Sequence, residues 1–250
     1  MPRFAANLTM LFTELPLMER FAAAKGAGFD GVEVLFSYDE SAQAMRDQLV
    51  MNGLTFVLQN TPPPNWTGGD RGFAAVPGLE ERFRKDFDRA LRFADVLKPQ
   101  VIHVMAGVTD DPAARTTFVA NLKWAAARAP ERRLTIEPIN RHDMPGYWLN
   151  DFDLAAGILD EVGAPNLALQ FDAYHAHRIT GDMMATWSRH GHRAAHVQIA
   201  GFPGRHEPLG GDIDYPAFFT RLDADGYAGW VSAEYNPATT TAAGLGWLEG

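Results

Sequence analysis

The chain has 250 residues, 46% of them hydrophobic, and this length is close to the usual size of a single (β/α)8 barrel. Its net charge is −9, and no run of Lys and Arg is dense enough to form a polyphosphate-binding surface, so nucleic acid is not expected as a partner. The chain contains no cysteine, which excludes disulfides and thiolate chemistry and leaves oxygen and imidazole groups as metal ligands.

The first residues lack the basic start and long apolar run of a signal peptide, and no apolar run approaches the length of a membrane span. We therefore expect a cytoplasmic protein with no membrane partner. A small anionic substrate is compatible with the negative net charge, because one or two local arginines suffice to bind it. The sequence leaves the oligomeric state open, a homo-oligomer included.

Short β-like runs alternate with helix-like segments along the chain. Eight segments have the pattern of strands: RFAANLTM (3–10), GVEVLF (31–36), LTFVLQN (54–60), QVIHVMAG (100–107), RLTIEP (133–138), LALQFD (167–172), AAHVQIA (194–200) and GWVSAEY (229–235). Six segments between them have helical periodicity: 15–28, 41–53, 79–97, 111–130, 151–163 and 215–226. Strict alternation predicts a parallel sheet, and eight units predict closure into one TIM barrel over residues 1–250.

A doubly wound open sheet is the alternative fold. It is disfavoured because no GxGxxG motif follows the first strand, and because such sheets usually have about six strands or fewer. One long irregular segment, residues 59–78, has the length of a lid or a binding loop, and we predict a lid. Its GGDRG run (68–72) lacks the Lys-Ser/Thr pair of a phosphate loop, but Arg71 within it is a candidate for binding an anion.

Each of the last four predicted strands has, at or near its carboxyl end, a side chain that carries oxygen. These residues are Glu137, Asp172, Gln198 and Glu234. By the period-two rule, the residues that alternate with them lie on the opposite face, and these are Ile136, Phe171, Val197 and Ala233. The apolar alternates suit packing on the outer helices. The polar set is therefore expected to converge at the carboxyl-end mouth of the barrel, where TIM-barrel chemistry takes place.

Three carboxylates so close together cannot all stay ionised without a compensating cation. Glu, Asp and Gln are hard oxygen donors, which favour Mg²⁺ or Mn²⁺ over Zn²⁺. The strand ends therefore predict one bound divalent cation. For any one of these residues taken singly, an ion pair or hydrogen bond at the barrel mouth is the alternative interpretation.

Long motifs also carry a family resemblance: IEPINRHDMPGYWL (136–149), FDAYHAH (171–177), HVQIAGFPGRHEP (196–208) and SAEYNP (232–237). With them the chain resembles, nearly end to end, the hydroxypyruvate isomerase family, within the xylose-isomerase-like TIM barrels that also include ketose 3-epimerases and endonuclease IV. The resemblance implies a metal-binding set of four residues: Glu137, Asp172, Gln198 and Glu234. It also implies that Glu137 and Glu234 form the acid/base pair.

Candidates for substrate binding lie mainly in the loops after these strands. The resemblance implies that His175 and Arg205 contact substrate oxygens, and Asp143 stands where related sugar epimerases place another substrate-facing carboxylate. Arg205 can clamp a carboxylate with two hydrogen bonds or pair with Glu207. His103, within a strand, is interpreted either as a hydrogen-bonded structural histidine or as a substrate contact from the barrel interior.

The sequence departs from the family pattern in three places: PPPNW (62–66), His177 and GFPGRHEPLGGDI (201–213). These departures leave the metal-binding set intact and bear on the identity of the substrate.

Moving a carbonyl group to the neighbouring carbon requires removal of an α proton, an enediolate, and return of the proton to the other carbon. Two glutamates that flank the substrate could act as base and acid, with a metal stabilising the developing oxyanion. We predict isomerisation of hydroxypyruvate to tartronate semialdehyde, with 2-oxo-tetronate isomerisation or ketose 3-epimerisation as near alternatives. An endonuclease-IV-like phosphodiesterase, which needs a His-rich multi-zinc site, and a non-catalytic sugar-binding barrel are remote alternatives.

Overall fold

The computed structural model describes residues 2–63 and 71–249, and its strands form one sheet. The strands of this part are β1 (Arg3–Asn7), β2 (Gly31–Glu33), β3 (Thr55–Phe56), β4 (Leu58–Asn60), β5 (Val101–His103), β6 (Leu134–Ile136), β7 (Leu167–Asp172), β8 (Ala194–Ile199) and β9 (Trp230–Ala233). Their order is β3-β2-β1-β9-β8-β7-β6-β5-β4, and the paired strands are parallel.

The strands β3 and β4 are two halves of one strand, separated by Val57, and they close the sheet into a barrel. The backbone N–H of Val57 donates to the carbonyl of Val32 at 2.8 Å, and the N–H of Val101 donates to the carbonyl of Val57 at 2.9 Å. One residue thus bonds to both neighbouring strands at the seam. The nine segments therefore make an eight-stranded parallel barrel, which confirms the fold predicted from the alternation.

Helices connect the strands on the outside of the barrel. In the described part they are α1 (Leu17–Gly26), α2 (Ala42–Met51), α3 (Glu80–Leu97), α4 (Ala114–Arg128), α5 (Phe152–Val162), α6 (Ala173–Thr180), α7 (Met183–His190) and α8 (Tyr215–Ala224), with 3-10 helices at Gly191–Arg193 and Ala242–Glu249. None of the helices formed by residues 2–63 and 71–249 is long and apolar enough to cross a membrane.

Helices α6 and α7 lie in a segment for which the periodicity predicts no helix. Each begins at an aspartate whose carboxylate accepts a backbone N–H three residues later: Asp172 from His175 at 2.9 Å, and Asp182 from Ala185 at 2.9 Å. Such a cap stabilises a helix start by about 1 kcal/mol, which helps helices of only eight residues to form.

The predicted alternation of faces is present in β7. The ring of Phe171 points outward and packs against Phe152 on α5 and Trp187 on α7, with ring centroids 5.3 and 5.1 Å apart. Its neighbour Gln170 points into the barrel, where its Nε2 donates to Oε2 of Glu137 at 3.0 Å. The polar strand ends therefore face the barrel interior, as the period of two requires.

The predicted lid is described only at its two ends, residues 59–63 and 71–78. Gly72 has a φ of +90°, and a Cβ atom there would lie 2.3 Å from the carbonyl oxygen of Met105, so the close contact between this segment and the chain after β5 requires glycine. Residues 64–70, which include Trp66, lie outside the described residues, and the lid stays a prediction.

Candidate active site

A cavity of about 290 Å³ lies at the carboxyl ends of the strands. The predicted site residues among those that line it are Glu137, Glu234, Asp143, His175, Arg71 and Arg205. A larger cavity of about 890 Å³ is lined by Arg3, Val101 and Arg133, at the amino ends of the strands, and by none of the predicted site residues. Because TIM-barrel enzymes place their chemistry at the carboxyl end, we assign the candidate active site to the smaller cavity.

Asp172 is fully buried at the end of β7, and its two carboxylate oxygens have different surroundings. One oxygen, Oδ1, accepts the backbone N–H of His175 and caps α6. The other, Oδ2, has no hydrogen-bond partner among the described residues. A buried carboxylate oxygen without a donor is costly, so Oδ2 is suited to bind a cation.

Glu137 follows β6 and is also buried. Its Oε2 accepts a hydrogen bond from Gln170, and Nδ1 of His103 lies 3.5 Å from the same oxygen. Burial, followed by the negative charges of Glu234 and Asp172, raises the pKa of Glu137 well above its usual range. A glutamate with a raised pKa binds a proton more readily than a solvated glutamate does, which suits a group that exchanges protons.

Glu234 follows β9 on the other side of the cavity. Its Oε1 accepts a hydrogen bond from Nη2 of Arg205 at 2.8 Å, and its Oε2 accepts from Nδ2 of Asn7 at 3.2 Å and from the side-chain amide of Gln198. Burial raises the pKa of Glu234 to about 8 against the opposing charge of Arg205, with the charge of Glu33 adding to the rise.

Gln198 lies level with Asp172, because the two residues are partners in the register of β7 and β8. Its Nε2 donates to Glu33 at 2.8 Å and to Glu234, and its Oε1 accepts from Gln170 at 2.7 Å. The two carboxylates fix the amide orientation, since the reverse orientation would set oxygen against oxygen. Gln198 does not line the cavity, so its role as a metal ligand stays a prediction.

Arg205 is the cation that faces these carboxylates. Its Nη2 lies 2.8 Å from Oε1 of Glu234 and 3.8 Å from Oδ2 of Asp172, and its Nη1 lies 3.8 Å from Oδ2 of Asp143. Burial opposes its charge, but the surrounding carboxylates more than offset this and raise the pKa of Arg205. Glu207, the alternative partner, is not among the carboxylates that pair with Arg205, and it accepts the backbone N–H of Ala238 at 3.0 Å.

The donor set fits a divalent cation. Ligand atoms of Glu137, Asp172 and His175 all lie within 4.8 Å of one another, close enough to share one ion. The guanidinium of Arg205 faces the three buried carboxylates of Glu137, Asp172 and Glu234, and when all three are ionised their charge exceeds its own. A divalent cation would balance that excess, and carboxylate oxygens are the donors that hard cations prefer.

The remaining predicted residues lie around this centre. His175 is buried, its Nδ1 lies 2.6 Å from Nδ2 of Asn140, and burial lowers its pKa to about 4. Asp143 is held at the rim by Asn140, whose Nδ2 donates to its Oδ2 at 3.2 Å. Arg71 lies over the ring of Phe36, with the guanidinium carbon 5.0 Å from the ring centroid.

His103 lies beneath Glu137 and does not line the cavity. It is fully buried, its Nδ1 lies 3.2 Å from Oδ1 of Asn60, and burial lowers its pKa to about 3. This position suits a neutral hydrogen-bonded histidine, and contact of His103 with a substrate stays a prediction.

A buried carboxylate that is not among the predicted site residues lies behind Gln198 and Glu234. Glu33, at the end of β2, accepts hydrogen bonds from Asn7 at 2.9 Å, from Gln198 at 2.8 Å and from Nε2 of His196 at 3.0 Å. Glu33 stands between two valines in an apolar run, and a charged residue in such a run is a signal that strand periodicity could have detected.

Comparisons with known proteins agree with the fold. The profile of the xylose isomerase-like TIM barrel family matches residues 21–250. The chain is 47% identical to the 2-oxo-tetronate isomerase of Cupriavidus necator, with 100% of this chain and 98% of the relative covered. It is 39% identical to the hydroxypyruvate isomerase of Escherichia coli, with 100% and 99% covered. A crystal structure of an AP endonuclease, family 2, from Brucella melitensis superposes with a TM-score of 0.97 at 43% identity, with 100% and 98% covered.

Proposed function

The chain belongs to the xylose isomerase-like TIM barrel family and, within it, to the hydroxypyruvate isomerase group, and we propose that it interconverts the ketose and aldose forms of a small hydroxylated 2-oxo acid. One observation carries this proposal: Glu137 and Glu234 line one cavity together with Arg205, which supplies positive charge and lies 3.8 Å from the buried carboxylate of Asp172. Such a cluster can move a proton between adjacent carbons beside an anionic substrate.

The proposed cofactor is one divalent cation, Mg²⁺ or Mn²⁺. Glu137, Asp172 and Glu234 would hold it through carboxylate oxygens, with Gln198 as a further oxygen donor if its bond to Gln170 is released. When bound, it supplies a positive charge that stabilises the negative oxygen of the enediolate. The partnerless Oδ2 of Asp172 is the observation that most favours a cation here.

The two glutamates would carry the proton. Glu137 and Glu234 follow β6 and β9, which are separated in the sheet by β7 and β8, so the two carboxylates approach the cavity from different sides. One removes the proton from the carbon α to the substrate carbonyl, and the other delivers a proton to the former carbonyl carbon. The proton of the substrate hydroxyl group passes to the former carbonyl oxygen, so that the hydroxyl becomes the new carbonyl. The raised pKa values of both groups fit this exchange, because each group binds a proton more readily than a solvated glutamate does.

Arg205 would bind the carboxylate of the substrate. A three- or four-carbon acid buries little apolar surface, so its affinity must come mainly from charged hydrogen bonds. In the structure Arg205 donates a hydrogen bond to Glu234 at 2.8 Å. When the proposed cation compensates the charge of Glu234, the guanidinium can form a bidentate pair with the carboxylate of the substrate. Asp143, Arg71 and His175 lie around the same cavity and can contact the hydroxyl and carbonyl oxygens.

The proposal also concerns the number of carbon atoms in the substrate. The sequence predicts hydroxypyruvate, with the four-carbon 2-oxo-tetronate as the near alternative, and relatives named for the two substrates overlap in identity to this chain, at 37–47% for 2-oxo-tetronate isomerases and 39% for a hydroxypyruvate isomerase. Both substrates require the same chemistry at adjacent carbons, and both carry the carboxylate that Arg205 would bind. A cytoplasmic location and the absence of nucleic-acid and membrane partners stay predictions.

A phosphodiesterase is the second candidate, because the Brucella melitensis structure is described as an AP endonuclease. Multi-zinc hydrolysis of this kind relies on several histidine ligands. In the described residues the group with metal-binding geometry has two carboxylates and His175, and Arg205 adds a positive charge beside them. This arrangement favours the isomerase.

The proposal is tested by incubating the Mg²⁺- or Mn²⁺-loaded protein with hydroxypyruvate, 2-oxo-tetronate, a neutral ketose and an abasic-site DNA duplex, followed by identification of the products. We expect the largest kcat/KM for one of the two 2-oxo acids. A larger kcat/KM for the neutral ketose would replace the proposal with an epimerase or sugar isomerase, and cleavage of the duplex alone would replace it with a nuclease.

A further inference from the structure

The side chain of Asn140 is held in a single orientation by the turn after β6. Its Oδ1 accepts the backbone N–H groups of His142 at 3.0 Å and Asp143 at 2.9 Å. If the amide were reversed, its NH₂ group would face these two donors and both bonds would be lost. The two backbone donors therefore distinguish the oxygen of the Asn140 amide from its nitrogen.

The nitrogen of the same amide then determines the state of His175. Nδ2 of Asn140 lies 2.6 Å from Nδ1 of His175 and 3.2 Å from Oδ2 of Asp143, so its two hydrogens have one acceptor each. An amide nitrogen donates and does not accept, so Nδ1 of His175 must accept with its lone pair. In a neutral imidazole with a bare Nδ1, the proton is on Nε2.

The protonated nitrogen is the one that faces the carboxylates. Nε2 of His175 lies 3.9 Å from Oε1 of Glu137 and 3.8 Å from Oδ2 of Asp172, both longer than a hydrogen bond. The ring is also anchored through its backbone, because the N–H of His175 donates to Oδ1 of Asp172. The Nε2–H group is thus held beside the carboxylates without being bonded to either of these oxygens.

We propose that Asn140 is a positioning residue that keeps His175 in its Nε2–H tautomer, so that His175 donates a hydrogen bond to a substrate oxygen and is not a metal ligand. The distances among Glu137, Asp172 and His175 would suit a cation, but a protonated nitrogen has no lone pair to give one. The proposal concerns the same site as the proposed function and rests on it for the identity of the acceptor oxygen. The tautomer itself follows from the hydrogen bonds alone.

The test is two-bond ¹H–¹⁵N NMR of the protein labelled with ¹⁵N-histidine, recorded without metal and then with Mg²⁺, with the His175 signals assigned by their loss in His175→Gln. In both states we expect a pyrrole-type shift at Nε2 and a pyridine-type shift at Nδ1. A pyridine-type Nε2 in the metal-free protein, or loss of its proton when Mg²⁺ binds, would overturn the proposal. This readout needs no turnover, so a protein that turns over no 2-oxo acid counts against the proposed function alone.

Variants at Asn140 test the cause of the tautomer. Asn140→Asp has nearly the same shape but cannot donate, so it should move the His175 proton to Nδ1 and lower kcat by about 10- to 100-fold, as expected when a hydrogen bond to a charged group is lost. Asn140→Ala should give mixed tautomers. The control is His142→Ala, which alters an exposed residue of the same turn and leaves both bonds from Nδ2 of Asn140 in place. An unchanged His175 spectrum in both Asn140 variants would remove Asn140 from the role.

Discussion

The two halves of the barrel mouth, formed by β1–β5 and by β6–β9 with the loops that follow them, both carry buried polar side chains, but in the described residues only the second half places carboxylates in the lining of the cavity. In the first half, the carboxylate of Glu33 is saturated by Asn7, Gln198 and His196. In the second half, Oδ2 of Asp172 has no partner among the described residues, and Glu137 and Glu234 line the cavity. The first half thus supports the site with a saturated carboxylate, Glu33, whereas the second half has a buried carboxylate, Asp172, with one oxygen that lacks a partner among the described residues. The comparison predicts larger effects from changes in the second half than in the first.

Removal of the metal should have the largest effect. Chelation of a divalent cation from the second half should abolish turnover, because the negative oxygen of the enediolate would lose its counter-charge. Activity that persists in protein shown to contain no metal would contradict the proposed site.

Metal removal should also change the dependence of stability on pH. Since burial raises the pKa of Glu137 and Glu234, the folded metal-free protein binds protons more tightly than the unfolded chain. This stabilisation is present at pH below the ordinary glutamate pKa and is lost as pH rises toward about 8, the value for Glu234. The Tm of the metal-free protein should therefore fall between pH 5 and 8, and Mg²⁺ should raise it most at the upper end. A Tm gain from Mg²⁺ that shrinks as the pH rises would argue against carboxylate ligands.

Replacement of either proposed proton carrier should cause the next largest loss of activity. Glu137→Gln and Glu234→Gln should each lower kcat by roughly 100-fold or more, in line with the usual contribution of general acid–base catalysis. Steady-state kinetics with measured metal content checks this. A variant that binds metal and keeps kcat within a few-fold of the parent would remove that glutamate from the acid/base pair.

Arg205 tests the claim that the substrate is an anion. Arg205→Lys keeps the charge but loses the planar fork, so kcat/KM for a 2-oxo acid should fall about 10-fold, and Arg205→Ala should lower it further. Arg133→Ala, in the larger cavity at the amino ends of the strands, is the matched control and should leave kcat/KM within about twofold. Equal losses for a neutral ketose and a 2-oxo acid would show that Arg205 does not recognise a carboxylate.

A substitution of Glu33, in the first half of the barrel mouth, should have the smallest effect on kcat. In Glu33→Gln, one oxygen can still accept from Gln198 and Asn7, and the new NH₂ group can donate to Nε2 of His196. The proton of His196 can then move to Nδ1, which has no partner within residues 2–63 and 71–249. We therefore expect a loss of kcat of about 3- to 10-fold. A loss as large as that of Glu234→Gln would mean that the two halves do not differ in the way proposed.

The sequence predicted the barrel and the second half of its mouth because both depend on a regular period. Strand alternation placed Phe171 outward and Gln170 inward, as the structure shows. Helices α6 and α7 were not predicted because a helix of eight residues shows little hydrophobic periodicity. Their first turns depend instead on the caps provided by Asp172 and Asp182.

The hydrogen bonds that orient Gln198 and His175 could not be predicted for a different reason. Glu33 and Asn140 act through side chains far away in sequence, Gln198 and His175, at separations of 165 and 35 residues. Such pairs have no local signature, and only the closed barrel brings them together. Candidate ligands can be found from strand ends, whereas the orientation of those ligands requires three-dimensional contacts.

The most direct test of the central claim is deuterium incorporation during turnover in D₂O by the metal-loaded protein, with its best 2-oxo acid as substrate. The product is trapped by reduction at low conversion, and the position of the isotope is read by NMR and mass spectrometry. If Glu137 and Glu234 act as separate base and acid, the delivered proton comes from a group that exchanges with solvent. The account then predicts one deuterium on the carbon that receives the proton. A product that retains the substrate hydrogen at that carbon would contradict proton transfer by two glutamates.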